Sequence, residues 1–350
     1  FVRLHDETEQ LNESLSRFNA ASRRFVPFEF LNMLDKKSIL DVNLGDQVQR
    51  DMAVLFSDIR SFTALSEKMT PKENFDFINS YLDKVGPVIR DHKGFIDKYI
   101  GDAVMALFPG AQGGADSATG RTPSVPRSGT QGDVNSAAGR KPSGSQRGEQ
   151  GSSGSAAGDA LDAALAMHEG VRNWNARRAV HGYAAVAIGI GVHQGKVMLG
   201  TIGEHQRMDG TVIADAVNLA SRIESLTKTY GAGTLISDVS WNTIADREKY
   251  AYRLVDRVAV KGKNEPVGLI EIFNSDSDEQ RKMKERQKPA FAEGLSLYRA
   301  GKFHEAKSAF LELLAANGAD KTLKLYLDRI ERHLKYPPSE WLGYEVLTEK

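Results

Sequence analysis

Met52-Ala53-Val54-Leu55-Phe56-Ser57-Asp58 and the longer stretch Gly94-Phe95-Ile96-Asp97-Lys98-Tyr99-Ile100-Gly101-Asp102-Ala103-Val104-Met105-Ala106-Leu107-Phe108 each deliver an aspartate to the end of an apolar run. Short apolar runs bounded by turn residues read as strands, so Asp58 ends one strand and Asp102 lies at the tip of a hairpin. A lone aspartate in such a place is ordinarily a cap or a turn former. Two of them at neighbouring strand tips make a hard, oxygen-lined site suited to Mg²⁺ with phosphates, because that ion keeps its waters and takes few protein ligands. The residues after Asp58, Ile59-Arg60-Ser61-Phe62-Thr63, predict the opening of a helix that offers the backbone N–H groups of Phe62 and Thr63 to a phosphate. Two-metal nucleotide chemistry is the reading these residues suggest.

A third stretch, Asp209-Gly210-Thr211-Val212-Ile213-Ala214-Asp215-Ala216-Val217-Asn218-Leu219-Ala220-Ser221-Arg222-Ile223-Glu224, bears on that reading. Val217, Ala220 and Ile223 recur at helical spacing, so Asn218 and Arg222, four apart, share a helix face. An amide and a guanidinium stacked in this way suit ribose and phosphate recognition.

In order and spacing, these stretches resemble the class III nucleotidyl cyclases, the adenylate/guanylate cyclase family, over residues 50 to 275 with one interruption. The resemblance implies that Asp58 and Asp102 hold two Mg²⁺ or Mn²⁺ ions per active site, with the Ile59 carbonyl as a further ligand. It implies that Lys98 and Thr211 select the base, that Asn218 orients the ribose and that Arg222 acts in the transition state. Lys196, in the strand Gly191-Val192-His193-Gln194-Gly195-Lys196, and Lys261, in Val260-Lys261-Gly262-Lys263, match positions that contact the polyphosphate, with Lys263 the alternative for the second. In the family, metal residues and base-reading residues of one site come from opposite subunits. A chain carrying both halves is therefore expected to form a symmetric homodimer with two sites.

Hydrogen-bond chemistry favours ATP. Adenine presents N1 as an acceptor and its amino group as a donor; a lysine only donates, and a threonine hydroxyl accepts. Guanylate cyclases of the family carry an acidic residue at the Lys98 position, which would accept from guanine N1–H. Most adenylate cyclases of the family have Asp at the Thr211 position, although a bacterial subgroup has Thr. The expected reaction converts ATP to 3′,5′-cyclic AMP and pyrophosphate. Cyclic GMP synthesis and a catalytically silent scaffold are the alternatives. No P-loop motif is present, no GGDEF-type turn points to a diguanylate cyclase, and the eight histidines show no HExxH spacing for zinc. His193 reads as structural.

Lysine plus arginine and aspartate plus glutamate both number 46, so no net field draws the chain to nucleic acid or an anionic membrane. The absence of cysteine accords with a reducing, cytoplasmic setting. No apolar run is long enough to span a bilayer. The expected fold is α/β (α+β), with the ferredoxin-like core that the resemblance implies. It places strands at Met52–Asp58, Ala184–Val192 with Lys196–Ile202 as hairpin partner, Thr234–Ser237, Tyr252–Val260 and Val267–Phe273, and helices at Pro71–His92 and Asp159–Arg178.

Three segments are expected. Residues 1–48 form a signalling helix and connector: Leu4, Leu11 and Phe18 repeat every seven residues with Leu15, and polar Thr8 and Ser22 share the seam. An amphipathic helix packed on the domain is the alternative. A chain that begins at Phe1 with a coiled coil in progress suggests a fragment of a longer protein, driven by an upstream sensor or membrane module. Residues 49–275 form the catalytic domain, broken at 110–158 by a Gly/Ser/Ala/Pro-rich tract too poor in apolar residues to order itself. Residues 276–350 form a helical extension in which Gly294, Leu297, Gly301, Phe303, Ala306 and Phe310 resemble one tetratricopeptide hairpin. A single such hairpin must dock on the domain or on a third helix at Thr322–Leu334, and the tail Pro337–Tyr344 is apolar enough to latch back.

Overall fold

The computed structural model describes residues 9, 12–18, 21, 28–110, 155–204, 206–260 and 265–347. Its first elements are α1 (Phe28–Met33), β1 (Gln47–Ile59), α2 (Phe62–Ser66), α3 (Pro71–Asp91), β2 (Phe95–Ile100), β3 (Ala103–Pro109) and α4 (Ala156–Ala179). There follow β4 (Ile188–Glu204), β5 (Arg207–Ile213), α5 (Asp215–Tyr230), β6 (Thr234–Ser237), α6 (Asp238–Trp241), β7 (Tyr252–Val260) and β8 (Val267–Ile272). Helices α7 (Asp278–Arg299), α8 (Phe303–Ala316) and α9 (Lys321–Lys335) and the short β9 (Glu345–Leu347) complete them.

The strands form one mixed sheet in the order β2-β3-β1-β4-β6-β8-β7-β9, with β5 paired to β4 outside that row. Residues 52–57 of β1 are all buried, as a strand covered on both faces requires. The period of two then divides them. Ala53 and Leu55 enter the main core with Phe77, Tyr81, Val85 and Ile89 of α3 and the alanine-rich face of α4. Met52, Val54 and Phe56 face the other way, onto Phe30 of α1 and Ala216 and Ala220 of α5. Helix α3 starts where the sequence offers a start: Thr70 and Glu73 form a capping box around Pro71.

One expectation is corrected. Ala184–Val192 and Lys196–Ile202 are not two strands of a hairpin; Ile188–Glu204 is a single strand of 17 residues. It pairs with β1 without a break from Gln47↔Gly200 to Ile59↔Ile188, and a reversal at Gln194-Gly195 would cut that ladder in half. The glycines that suggest a turn serve close packing instead: a Cβ on Gly195 would press on Ala216, and one on Gly191 would meet the Glu224 backbone of α5. The hairpin partner is β5, which begins pairing at Glu204↔Arg207.

Helix α4 starts at Ala156, with the Ser155 hydroxyl accepting from the Gly158 amide, so Gly158 belongs to the helix and not to the tract before it. Residues 111–154 of that tract lie outside the described residues, as do Leu4, Thr8, Leu11 and Ser22 of the heptad pattern. Residues 12–18 are helical, and Leu15 and Phe18 are exposed there.

Helices α7, α8 and α9 share a core of Phe291, Leu295, Tyr298, Phe310, Tyr326 and Ile330. Gly294 lets α7 approach the Phe310 ring of α8. The extension meets the sheet through buried charge: Arg253 of β7 donates to Glu271 of β8 at 2.6 Å and to Asp320 before α9 at 2.6 and 3.0 Å. Lys284 of α7 joins Glu271 and Asp276, each at 2.6 Å. The tail does latch back. The Trp341 indole donates to the Arg299 carbonyl at 3.0 Å, its ring packs on Tyr298 and Phe303, and β9 runs parallel to β7. Among the described residues, no helix is long and apolar enough to cross a membrane.

Candidate active site

Strand β1 carries Asp58 to its end, and the hairpin between β2 and β3 turns through Gly101 (φ 65°) to present Asp102. The two meet: the Ile59 amide donates to Asp102 Oδ2 at 3.2 Å. Burial, a hydrogen bond shared with Asp58 and the Asp58 charge together push the Asp102 carboxyl up to about 7. Glu224 of α5 is drawn into the same field. Burial first, then the Asp58 charge, push it up to about 7, against the opposing pull of Arg60. The Arg60 guanidinium donates to the Ala232 carbonyl at 2.9 Å and occupies the space that a side chain on Gly189 would fill. Carboxylates this short of countercharge fit a divalent cation. Among the described residues no group of three or more His, Cys, Asp or Glu is arranged to hold a metal.

A second pair forms on the other strand of the hairpin. Lys98 Nζ donates to Thr211 Oγ1 at 3.0 Å, joining β2 to β5 across 113 positions of sequence. The register of β2 against β3 shifts between Ile96 and Lys98, and the extra residue is Asp97. That bulge places the Asp97 carboxylate, 3% exposed, 3.3 Å from Lys98 Nζ. Burial raises the Asp97 pKa and Lys98 opposes the rise. Lys98 thus donates its hydrogen bond to Thr211 and has the buried Asp97 carboxylate only as an ion-pair neighbour.

Helix α5 buries Ala216, Leu219, Ala220, Ile223, Thr227 and Tyr230, which leaves Asn218 and Arg222 on its exposed side, four residues apart. Lys196 is exposed on β4 in register with Asp51. Phe62 and Thr63 open α2 after Ser61, whose backbone is left-handed (φ 56°). The Phe62 ring stacks on Phe77 at 6.1 Å. His193 is structural: it is buried, with Nδ1 2.7 Å from the Ser237 hydroxyl. Lys261 and Lys263 lie outside the described residues.

The structure therefore brings Asp58, Ile59 and Asp102 together, and Lys98 with Thr211. It adds three residues that sequence reasoning missed, Asp97, Arg60 and Glu224.

Residues 45–271 match the family described as the adenylate and guanylate cyclase catalytic domain. An adenylate cyclase of Anabaena cylindrica is 35% identical over 268 residues, which cover 75% of this chain and 44% of that protein. A terminal-differentiation-specific adenylate cyclase of Dictyostelium discoideum is 29% identical over 334 residues, 95% of this chain and 14% of that protein. The chain thus spans less than half the length of either relative. A bacterial light-regulated adenylyl cyclase of known structure shares the fold, with a TM-score of 0.54, 19% identity and coverage of 81% of this chain and 70% of that one.

Proposed function

The chain belongs to the family of adenylate and guanylate cyclase catalytic domains, and we propose that it is an adenylate cyclase, converting ATP to 3′,5′-cyclic AMP and pyrophosphate at a homodimer interface. The observation that carries the choice of ATP is the contact between Lys98 Nζ and Thr211 Oγ1 at 3.0 Å. A fixed ammonium donates to adenine N1, and the hydroxyl beside it accepts from the adenine amino group. The two relatives described above, both named adenylate cyclases, support the same choice.

The reaction forms a bond from the ribose 3′-oxygen to the α-phosphorus and breaks the bridge to the β-phosphate. Asp58 and Asp102, with the Ile59 carbonyl, would hold the divalent ions, Mg²⁺ or Mn²⁺. When bound, these supply the positive charge that acidifies the 3′-hydroxyl and neutralises the leaving pyrophosphate. Asn218 holds the ribose in line for attack, and Arg222 stabilises the charge that builds on the α-phosphate. Lys196 and Lys261 contact the polyphosphate, with the Phe62 and Thr63 amides beside it. Because each chain carries both a metal half and an Asn218/Arg222 half, two subunits complete two sites. An upstream sensor or membrane module acting through residues 1–48 belongs to the same reading; activity unchanged by removal of residues 1–27 would count against it.

The decisive experiment incubates the purified chain with ATP or GTP, each with Mg²⁺ or Mn²⁺, beside an Asp102→Ala control. Cyclic AMP from ATP, lost in the control, is the expected result. Cyclic GMP alone would overturn the base assignment and keep the mechanism; no cyclic nucleotide from a dimeric chain would overturn the reading.

A further inference from the structure

Helix α5 presents Asn218 and Arg222, and its far end is held by residues beyond the family match, which stops at residue 271. The last carbonyls of a helix lack intrahelical donors. At Tyr230, the final residue of α5, that carbonyl accepts from the Thr322 hydroxyl of α9 at 2.9 Å. Arg329 lies seven residues further along α9, on the same face as Thr322. It donates to Asp256 Oδ2 of β7 at 2.6 Å and to the Tyr230 hydroxyl at 3.2 Å, and that hydroxyl donates in turn to Asp256 at 2.5 Å. All four side chains are buried. Just past the helix, Gly231 (φ 66°) takes up the left-handed turn directly against the Lys321 side chain. Along the body of α5, Leu325 packs onto the cluster that contains Leu219 and Ile223, the neighbours of Asn218 and Arg222.

A buried arginine pairing a carboxylate and a hydroxyl in fixed geometry resists displacement, because breaking one partner strands charge away from water. We propose that Arg329 and Thr322 are positioning residues for the reaction: α9 clamps the C-terminal end of α5 and so fixes the seat from which Asn218 and Arg222 reach the nucleotide. What α5 does rests on the cyclase reading; the clamp itself does not. Asn218 and Arg222 orient the ribose and meet the transition state, so a loosened α5 lowers kcat and leaves KM nearly unchanged.

The test combines amide hydrogen exchange with steady-state kinetics on the full chain and its Arg329→Met, Arg329→Lys and Thr322→Val variants. For Arg329→Met, exchange at residues 224–230 should quicken about tenfold and kcat fall about tenfold, with KM within about twofold. Thr322→Val, a near-isosteric change, should move both in the same direction by about two- to threefold, and Arg329→Lys should restore part of the loss. If Arg329→Met does not fold, Thr322→Val and Arg329→Lys carry the test. Wild-type exchange in α5 and wild-type kcat in the folded variants would overturn the proposal, as would faster exchange spread evenly over α5 and the distant β2–β3 hairpin. A wild-type chain that makes no cyclic nucleotide would overturn the cyclase reading instead, and exchange alone would then decide the clamp.

Discussion

Lys98 is the residue on which the proposed nucleotide choice turns, and two neighbours contact its ammonium. The Asp97 carboxylate lies 3.3 Å from its ammonium, which donates to the Thr211 hydroxyl at 3.0 Å. Replacing the donor by an acceptor, Lys98→Glu, is expected to lower the ratio of kcat/KM for ATP to that for GTP by about tenfold or more. Competition between the two nucleotides measures this, and an unchanged ratio would remove Lys98 from base selection. Asp102 sets a pH dependence. Its ordinary value is 3.8, and in the folded chain without metal it is pushed up to about 7. The folded chain therefore keeps a proton that the unfolded chain loses between those values. The stability this lends is present below the lower value and is lost as pH rises through the upper one. With Asp102 as the proposed metal ligand, a divalent cation would take the proton's place, so Mg²⁺ should raise Tm more at pH 8 than at pH 5, and Asp102→Asn should flatten the difference. Melts with Mg²⁺ or EDTA at both pH values check it; an equal Mg²⁺ effect at the two would refute it. At this scale the sequence was legible where a residue announces itself by position, as Asp58 and Asp102 do at strand tips. Asp97 was hidden because a bulge and burial, which spacing does not encode, give it its place, and Arg60 and Glu224 because their neighbours lie far away in sequence.

Among the elements, β4 and α5 hold the site together through glycine. A Cβ on Gly191 would strike the Glu224 backbone nitrogen and Cα and come within 2.7 Å of the Ala220 carbonyl oxygen. None of these can rotate away. Gly191→Ala is expected to cost more than about 3 kcal/mol, beyond ordinary overpacking, because two backbones must separate. Denaturant titration measures this, and a loss below about 1 kcal/mol would mean that α5 is free to shift. The same residues explain where sequence reading went astray. Most elements were legible: α3, expected at Pro71–His92, the β2–β3 hairpin from two apolar runs about the Gly101-Asp102 tip, α5 from its 3.6-residue period, and three helices after Asp276. The 17-residue β4 was divided in two because a glycine chosen for close approach looks, in sequence, like one chosen for a turn. Strand β5 was missed for a related reason: Arg207–Ile213 is mostly exposed, so it lacks the apolar signature of a core strand.

On the scale of the whole molecule, the proposed division of the site between subunits makes a quantitative forecast. Asp102→Asn and Arg222→Ala should each be inactive alone, yet mixing them in equal amounts should restore about a quarter of wild-type activity. Half of the dimers are then mixed, and each mixed dimer has one intact site of two. Activity that stays at the background of the separate variants, once exchange of subunits is verified, would rule out sites shared across a two-fold axis. The extension has a different consequence for the molecule. Strand β7 would end the sheet on one side, were it not for Glu345–Leu347, which pairs with it from Val258 to Val260. A bare row of backbone donors and acceptors is a template onto which a strand from another molecule can assemble. Glu345–Leu347 covers the Val258–Val260 part of that edge, and a chain ending at Tyr336 is expected to self-associate at concentrations where the longer chain does not, as sedimentation or light scattering would register. Three residues of backbone pairing thus decide whether this edge of the sheet is open to a strand from another copy.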